Sequence, residues 1–247
     1  MKALSLIILG SFLFGCSGES FQKTLKTAQD VLNEGDGSQL TSSEVAAGLK
    51  QALEKGTRYA VNKGSVEDGF YKNPKLYIPF PQEAEKVKNT ALQLGLNAQV
   101  NRFEETLNRA AEEAVKEAAP IFLNAITSMS INDAFAILKG GEHAATNYLR
   151  QTTGSELREL FEPKVSAAIE KVELTKYYSP LASAYNTATL ISGGEAVNPD
   201  LTQYVTEKSV DGLFVLIAEE EKKIRENPAE RVTDLLRKVF GSPEAAE

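Results

Sequence analysis

Three neighbouring side chains, Asn108, Arg109 and Glu112, place an amide, a guanidinium and a carboxylate within about one turn of a predicted helix. An arginine beside a carboxylate forms charge-assisted hydrogen bonds, which either fix the packing of helices or bind the acidic group of a ligand. Arg150 and Asp211 flank apolar segments of other predicted helices and are the expected partners. These five residues are the candidate polar cluster; ion pairing on an exposed helix surface is the alternative.

Four aromatic residues, Phe70, Tyr71, Tyr77 and Phe80, lie in a segment where glycine and proline make a helix unfavourable. A residue that precedes proline is kept out of the helical conformation, so Ile78-Pro79-Phe80-Pro81 is predicted to be extended. Such a segment is typical of a strap that crosses a helical body. The alternative is that these rings line an apolar pocket or a groove for a partner.

The residue types on which many catalytic and metal sites depend are scarce. The chain has one cysteine, one histidine (His143) and no G-x-S-x-G motif, which excludes a cysteine zinc site, a bis-histidine centre and a nucleophile elbow. We therefore predict no catalytic residue, no metal and no cofactor, and favour a protein that is not an enzyme. Paired carboxylates can act without histidine or metal, which keeps a carboxylate-dependent hydrolase as an alternative.

The composition of the chain is that of a globular protein. Its 247 residues are 42% apolar and 25% charged, and this length is sufficient for a sizeable hydrophobic core. The formal net charge of −7 argues against binding to the phosphate backbone of nucleic acids.

The N-terminal residues resemble the signal peptide of a bacterial lipoprotein. Lys2 precedes an apolar run at residues 3–14, which is shorter than the roughly 20 residues that a membrane-spanning helix needs. The run ends in Leu13-Phe14-Gly15-Cys16, which resembles a lipobox. The resemblance implies cleavage after Gly15, a diacylglycerol on the thiol of Cys16, and an acyl chain such as palmitate on its amino group.

Lipidation of Cys16 implies a protein of the cell envelope that acyl chains hold on a membrane. Because Ser17 rather than aspartate follows the cysteine, the resemblance to Gram-negative lipoproteins favours the outer membrane, with the protein facing the periplasm. Residues 1–15 are then the signal peptide, and residues 16–43 are the lipidated cysteine and a tether.

Helical periodicity runs through residues 44–241, for which we predict a single compact all-α domain of about eight to ten helices. One extended, proline-rich strap near residues 70–81 crosses it, and residues 242–247 form a flexible C-terminal tail. Thr41-Ser42-Ser43-Glu44 fits a capping box at the start of the first helix. Pro120 interrupts the longest apolar period and is predicted to kink or split that helix.

Three further predictions concern the second half of the chain. Thr153-Gly154-Ser155-Glu156 is predicted to start a new helix, and Asn198-Pro199 to start another. Residues 213–218 are apolar on every side, which predicts a central helix. The charged run Glu219-Glu220-Glu221-Lys222-Lys223 is predicted to form a solvated face; a surface for a protein partner is the alternative.

Several segments in combination resemble a family of bacterial lipoproteins known as domain of unknown function 4197. They are GLKQAL at residues 48–53, DGFYKNP at 68–74, NRAAE at 108–112, AATNYLR at 144–150, DGLF at 211–214 and the tail at 219–241. The resemblance covers roughly residues 45–241 and implies an envelope location and a helical fold. It implies no activity, so no catalytic residue is carried over.

Together these features favour a lipid-anchored envelope protein that serves as a non-catalytic binding or scaffolding module. Its expected partners are the membrane, through the acyl chains on Cys16, and another envelope protein, but not nucleic acid. A carrier that holds a small apolar or amphipathic ligand between its helices is a second hypothesis, and the carboxylate-dependent hydrolase is a third.

Overall fold

A computed structural model describes residues 41–81, 84–170 and 200–242. Between these ranges it also describes a few single positions, namely Tyr178, Ala182, Ser183, Asn186, Thr187, Leu190 and Ala196. The predictions for the signal peptide, for Cys16, for most of the tether and for Asn198-Pro199 lie outside the described residues.

Eight α-helices occur in the described part of the chain, and no strand occurs there, which confirms the all-α prediction. In chain order they are α1 (Ser42–Gly64), α2 (Glu85–Gln93), α3 (Asn97–Val115), α4 (Ala119–Ser128), α5 (Ile131–Leu138), α6 (Ala144–Ile169), α7 (Leu201–Glu226) and α8 (Asp234–Phe240). A turn of 3₁₀-helix at Pro228–Glu230 precedes α8. Residues Leu40–Glu247 belong to one compact unit.

The predicted capping box at the start of α1 is confirmed. The hydroxyl of Thr41 accepts a hydrogen bond from the amide of Glu44, and the Glu44 carboxylate accepts one from the amide of Thr41. Lys238 of α8 also donates to this carboxylate, and these hydrogen bonds, that of Lys238 foremost, lower the pKa of Glu44 to about 2. The first and last helices are thus tied together at one carboxyl group.

Pro120 splits the long apolar period, as predicted. Helix α3 ends at Val115, and α4 begins at Ala119 with Pro120 in its first turn, where the missing amide hydrogen is not needed. Within the described residues no single helix is both long enough and apolar enough to cross a membrane. Helices α4 and α5 satisfy length and composition only as a pair, and they are bent by 103°.

Helix α7 is the central helix, as its apolar composition predicts, and it packs against α1, α3 and α6. Four of the residues in its apolar stretch are fully covered, namely Leu213, Phe214, Leu216 and Ile217, whereas Val215 is 38% exposed. The strap reaches this helix at Gly212, where the ring of Phe70 lies directly against the glycine backbone.

The predicted break at Thr153-Gly154-Ser155-Glu156 is wrong, because α6 runs without interruption from Ala144 to Ile169 and contains Pro163 as well. The hydroxyl of Thr153 donates to the carbonyl of Leu149, which satisfies it inside the helix. One face of α6 is buried along its length, at Leu149, Leu157, Phe161 and Val165. Burial of that face outweighs the weak local propensity to break the helix.

Asp200 is the N-cap of α7, and its carboxylate accepts a hydrogen bond from the amide of Thr202. Asn227 caps the short 3₁₀ turn, with Pro228 in its first position, and Thr233 caps α8. Aspartate, asparagine and threonine are all favoured N-caps, because their side-chain oxygens accept from a backbone amide of the first turn.

The contact between Gly212 and Phe70 gives a test of the packing. In Gly212→Ala, the new Cβ would lie 2.7 Å from Cε1 of Phe70, so the strap must shift, and we expect a loss of about 1–3 kcal/mol in the free energy of unfolding. The matched control is Gly154→Ala in α6, whose new Cβ meets only the guanidinium of Arg158, at 3.7 Å.

In a continuous helix, Gly154→Ala is expected to be neutral or to stabilise the protein by up to about 1 kcal/mol. Denaturant unfolding followed by circular dichroism measures both changes. Equal effects of the two substitutions would contradict the close packing of the strap on α7.

Candidate functional site

One side of α3 binds the strap, defined here as residues 70–81. Three side chains on successive turns of α3 face it, and each accepts hydrogen bonds from strap amides: Glu104, Asn108 and Glu112. We call these three residues the α3 ladder. Because the strap is not helical and forms no sheet, its buried amides need partners of this kind.

Asn108 occupies the middle of the α3 ladder and is fully buried. Its Oδ1 accepts from the amide of Ile78 at 2.8 Å, and its Nδ2 donates to the carbonyl of the same residue at 2.9 Å. The Nδ2 group also donates to the backbone carbonyl of Glu104 at 2.8 Å. The Asn108 side chain therefore satisfies both backbone groups of Ile78, as a neighbouring strand would.

Glu104 secures the C-terminal part of the strap. Its Oε2 accepts from the phenol of Tyr77 at 2.9 Å, and its Oε1 accepts from Nζ of Lys88 at 2.8 Å and from the amide of Phe80 at 3.4 Å. Burial and the hydrogen bond to Glu104 raise the pKa of the Tyr77 phenol. Tyr77 is therefore a neutral hydrogen-bond donor at neutral pH.

Glu112 secures the N-terminal part of the strap. Its buried Oε1 accepts from the amides of Phe70 and Tyr71 at 3.0 and 3.2 Å, and its Oε2 accepts from Nη1 of Arg109 at 2.8 Å. The other end of the guanidinium donates to Oδ1 of Asp68 at 2.7 Å. Burial disfavours the charged form of Arg109, but these two carboxylates outweigh it and raise its pKa.

The candidate polar cluster is divided between two places. Asn108, Arg109 and Glu112 meet at the strap, whereas Arg150 and Asp211 pair with each other at 2.5 Å, on an exposed part of α6 and α7. The guanidinium of Arg150 also lies over the ring of Phe214, 4.5 Å from its centroid. Within the described residues, no hydrogen bond or ion pair joins the two groups.

The four aromatic residues fit the prediction of a strap across the body. The rings of Phe70 and Phe80 are buried, and Phe80 packs against Phe103 of α3 with their centroids 5.1 Å apart. Tyr71 and Tyr77 are half-buried, 6.2 Å apart, and Tyr71 also stacks on Arg109. None of the four lines either cavity described below.

The prediction of a solvated face at residues 219–223 is wrong for two of its members, since Glu220 and Glu221 are buried. Glu221 accepts from the amides of Ala145 and Thr146 at 3.0 and 2.9 Å, which caps the N-terminus of α6, and it also pairs with Arg225 at 2.9 Å. Arg225 in turn donates to the last carbonyls of α5.

The sequence carries a signal for this burial. Leu213, Ile217, Glu221 and Ile224 continue one apolar helical period, so Glu221 stands where an apolar residue is expected. Glu220 is held by Lys55 at 3.1 Å and by Lys223 at 3.4 Å.

His143 is exposed and stands just before α6, where its side chain makes no capping hydrogen bond. Among the described residues, no three histidine, cysteine, aspartate or glutamate side chains are grouped closely enough to hold a metal ion. The carboxyl groups whose pKa departs from its ordinary value, namely Glu44, Asp68, Asp133 and Glu142, are all shifted downward. A general acid at neutral pH requires the opposite shift.

Two of the cavities in the described part of the molecule differ greatly in size. One lies between α1, α6 and α7 and has a volume of about 20 Å³, enough for about one water molecule. This volume is too small for the ligand that the carrier hypothesis requires.

The second cavity is an open groove of about 410 Å³ between α1 and α4. Apolar groups line it, from Val61 on α1 and from Ala119, Pro120 and Leu123 on α4. Its remaining lining residues are Glu54, Thr57, Arg58 and Asn62. We call this feature the α1–α4 groove.

The described helices and the strap bound to α3 define an all-α domain. Comparison with known families identifies the family to which it belongs. The family described as Protein of unknown function (DUF4197) matches residues 39–241. The chain belongs to this family, as the segments quoted above predict. No curated protein and no solved structure gives a significant match.

The role of Asn108 as a clamp can be tested by Asn108→Ala. This change leaves the buried amide and carbonyl of Ile78 without partners, and we expect a loss of about 2–4 kcal/mol in the free energy of unfolding. The control is Thr106→Ala, because the hydroxyl of Thr106 bonds only to the carbonyl of Arg102 in its own helix. If both variants unfold at the same denaturant concentration, Asn108 is not a clamp.

Asp68→Asn tests the electrostatic part of the cluster. Asparagine tolerates the left-handed conformation of this residue, whose φ is 66°. Hydrogen bonds from Lys72 and Arg109 lower the pKa of Asp68, so its charged form stabilises the folded state. That contribution is complete above the unfolded pKa of about 4 and is lost as the pH falls through the folded pKa.

The wild type is therefore expected to be more stable than Asp68→Asn at pH 7, and the difference is expected to shrink as the pH falls through the folded pKa of Asp68. Urea unfolding at several pH values measures the difference. A constant difference from pH 7 to pH 2 would contradict the electrostatic role of Asp68.

Proposed function

We propose that this protein is a lipid-anchored component of the bacterial cell envelope whose helical domain is a non-catalytic binding module. The observation that carries the binding role is the α1–α4 groove, which is lined by four apolar residues and four polar or charged residues. The segment ending at Cys16 supports the anchor, and Ser17 supports the outer membrane, with the domain facing the periplasm.

The candidate polar cluster is assigned a structural role in this proposal. Asn108 and Glu112 bond to the strap, Arg109 bonds to Glu112 and to Asp68 just before the strap, and Glu221 caps α6. The oxygens of these two carboxylates are already occupied by backbone amides and by arginine side chains. This favours binding over catalysis as the function of the domain.

The α1–α4 groove has the properties of a binding surface. Its volume lies within the range of typical ligand and peptide sites, which is roughly 300–1,000 Å³. Leu123 remains 48% exposed at its wall, so an occupant that covers this side chain releases water from apolar surface. A partner that inserts apolar side chains between α1 and α4 fits this arrangement.

The anchor is tested by feeding an alkyne-tagged fatty acid to Gram-negative cells that express the full chain. We expect label on the wild type and a shift of the protein to the membrane fraction after cell lysis. Cys16→Ala is expected to remove the label, because the chain has no other thiol. Labelling of Cys16→Ala, or none of the wild type, would refute lipidation at this residue.

The groove is tested in the same cells with the photo-cross-linking amino acid p-benzoylphenylalanine. It replaces Asn62 at the groove or, as the control, Gln93 on α2; both are polar, exposed helix positions. A partner in the groove is expected to cross-link from position 62 and not from position 93. Equal cross-linking from both positions, or none from either, would contradict a binding role for the groove.

A further inference from the structure

We infer that a second copy of this chain binds at the α1–α4 groove. In this dimer the two grooves face each other across a two-fold axis. This inference rests on the proposed function and names the partner. It is argued from the charges at the rim of the groove, from the uncharged character of α4, and from the effect of a shared membrane anchor.

The rim of the groove carries one acidic and one basic side chain without partners. Glu54 and Arg58 lie one turn apart on α1, and within the described residues neither side chain forms a hydrogen bond or an ion pair. Lys55, between them in sequence, is in contrast bound to Glu220 and Glu230 on the inner side of the helix. The outer face of α1 thus presents an opposite pair of charges beside an apolar groove.

A two-fold axis makes this pair complementary to itself. In an interface of this symmetry, if residue i of one copy contacts residue j of the other, then j also contacts i. Two α1 helices that cross in antiparallel fashion midway between Glu54 and Arg58 bring each glutamate against the arginine of the other copy. One unpaired acid and one unpaired base therefore yield two ion pairs.

Helix α4 supplies the apolar part of the interface. Residues 118–132 contain no charged side chain, although a quarter of the whole chain is charged. Leu123 projects from this stretch at the wall of the groove, so in the two-fold pair it can enter the groove of the other copy. Burial of this side chain in both copies would remove apolar surface from water.

A membrane anchor makes even a weak pair of this kind effective. Two copies held on one membrane surface meet at a high effective concentration, so that their association resembles an intramolecular step. The proposed lipid on Cys16 therefore allows a small interface to be occupied in the envelope.

Charge reversal tests the pairing in the full-length chain in cells. In the dimer, each of the single variants Arg58→Glu and Glu54→Arg creates two contacts between like charges. The double variant Glu54→Arg/Arg58→Glu restores two contacts between opposite charges. The readout is the amount of covalent dimer formed when p-benzoylphenylalanine replaces Leu123. We expect at least a tenfold loss of dimer in each single variant and recovery in the double variant.

The outcomes separate this inference from the proposed function. Cross-linked peptides that both come from this chain, with loss and recovery as stated, support the two-fold dimer. A cross-link from position 123 to a different protein overturns the dimer and leaves the binding module intact. No cross-link from position 62 or 123 in a chain that is lipidated overturns both. Equal dimer in all variants overturns the pairing of Glu54 with Arg58.

The single variants are not expected to unfold the domain, because neither side chain has a partner within the described part of the protein. Thermal unfolding of each variant checks this. If a single variant unfolds at a clearly lower temperature than the wild type when both are dilute enough to be monomers, the loss of dimer is due to folding and the inference is overturned.

Discussion

The attachment of the strap to α3 is the interaction on which the rest of the domain depends. A chain segment without helix or sheet carries backbone amides that must find partners once it is buried. The α3 ladder supplies these partners from Glu104, Asn108 and Glu112, one on each turn. The strap can therefore bury Phe70, Ile78 and Phe80 between α3 and its neighbours.

The domain uses the same arrangement of side chains twice. Glu112 accepts two backbone amides of the strap and pairs with Arg109 one turn away, and Glu221 accepts two backbone amides of α6 and pairs with Arg225 one turn away. In both cases the carboxylate accepts charge-assisted hydrogen bonds from backbone amides that have no partner within a helix or sheet. Burial of these carboxylates is thus a structural device, and the arginine offsets much of its cost.

Local signals in the sequence predicted the parts of the fold that are decided locally. The capping box at Thr41 and the split at Pro120 depend on residues within a few positions of each other. The continuity of α6 through Gly154 and Pro163 could not be predicted in this way, because it depends on packing against distant helices. The same holds for the candidate site. The strap and Asn108 could be identified from the sequence. That Arg109 and Arg150 lie in separate places could not, because their distance depends on how the helices pack.

The contact between Phe70 and Gly212 has a consequence for biogenesis. The ring of Phe70 finishes its packing only when α7 is present, and α7 belongs to the C-terminal part of the chain. The strap can therefore dock fully only after most of the polypeptide, including α7, has been synthesised. The N-terminal helices and the strap thus reach their final packing together with α7 rather than before it.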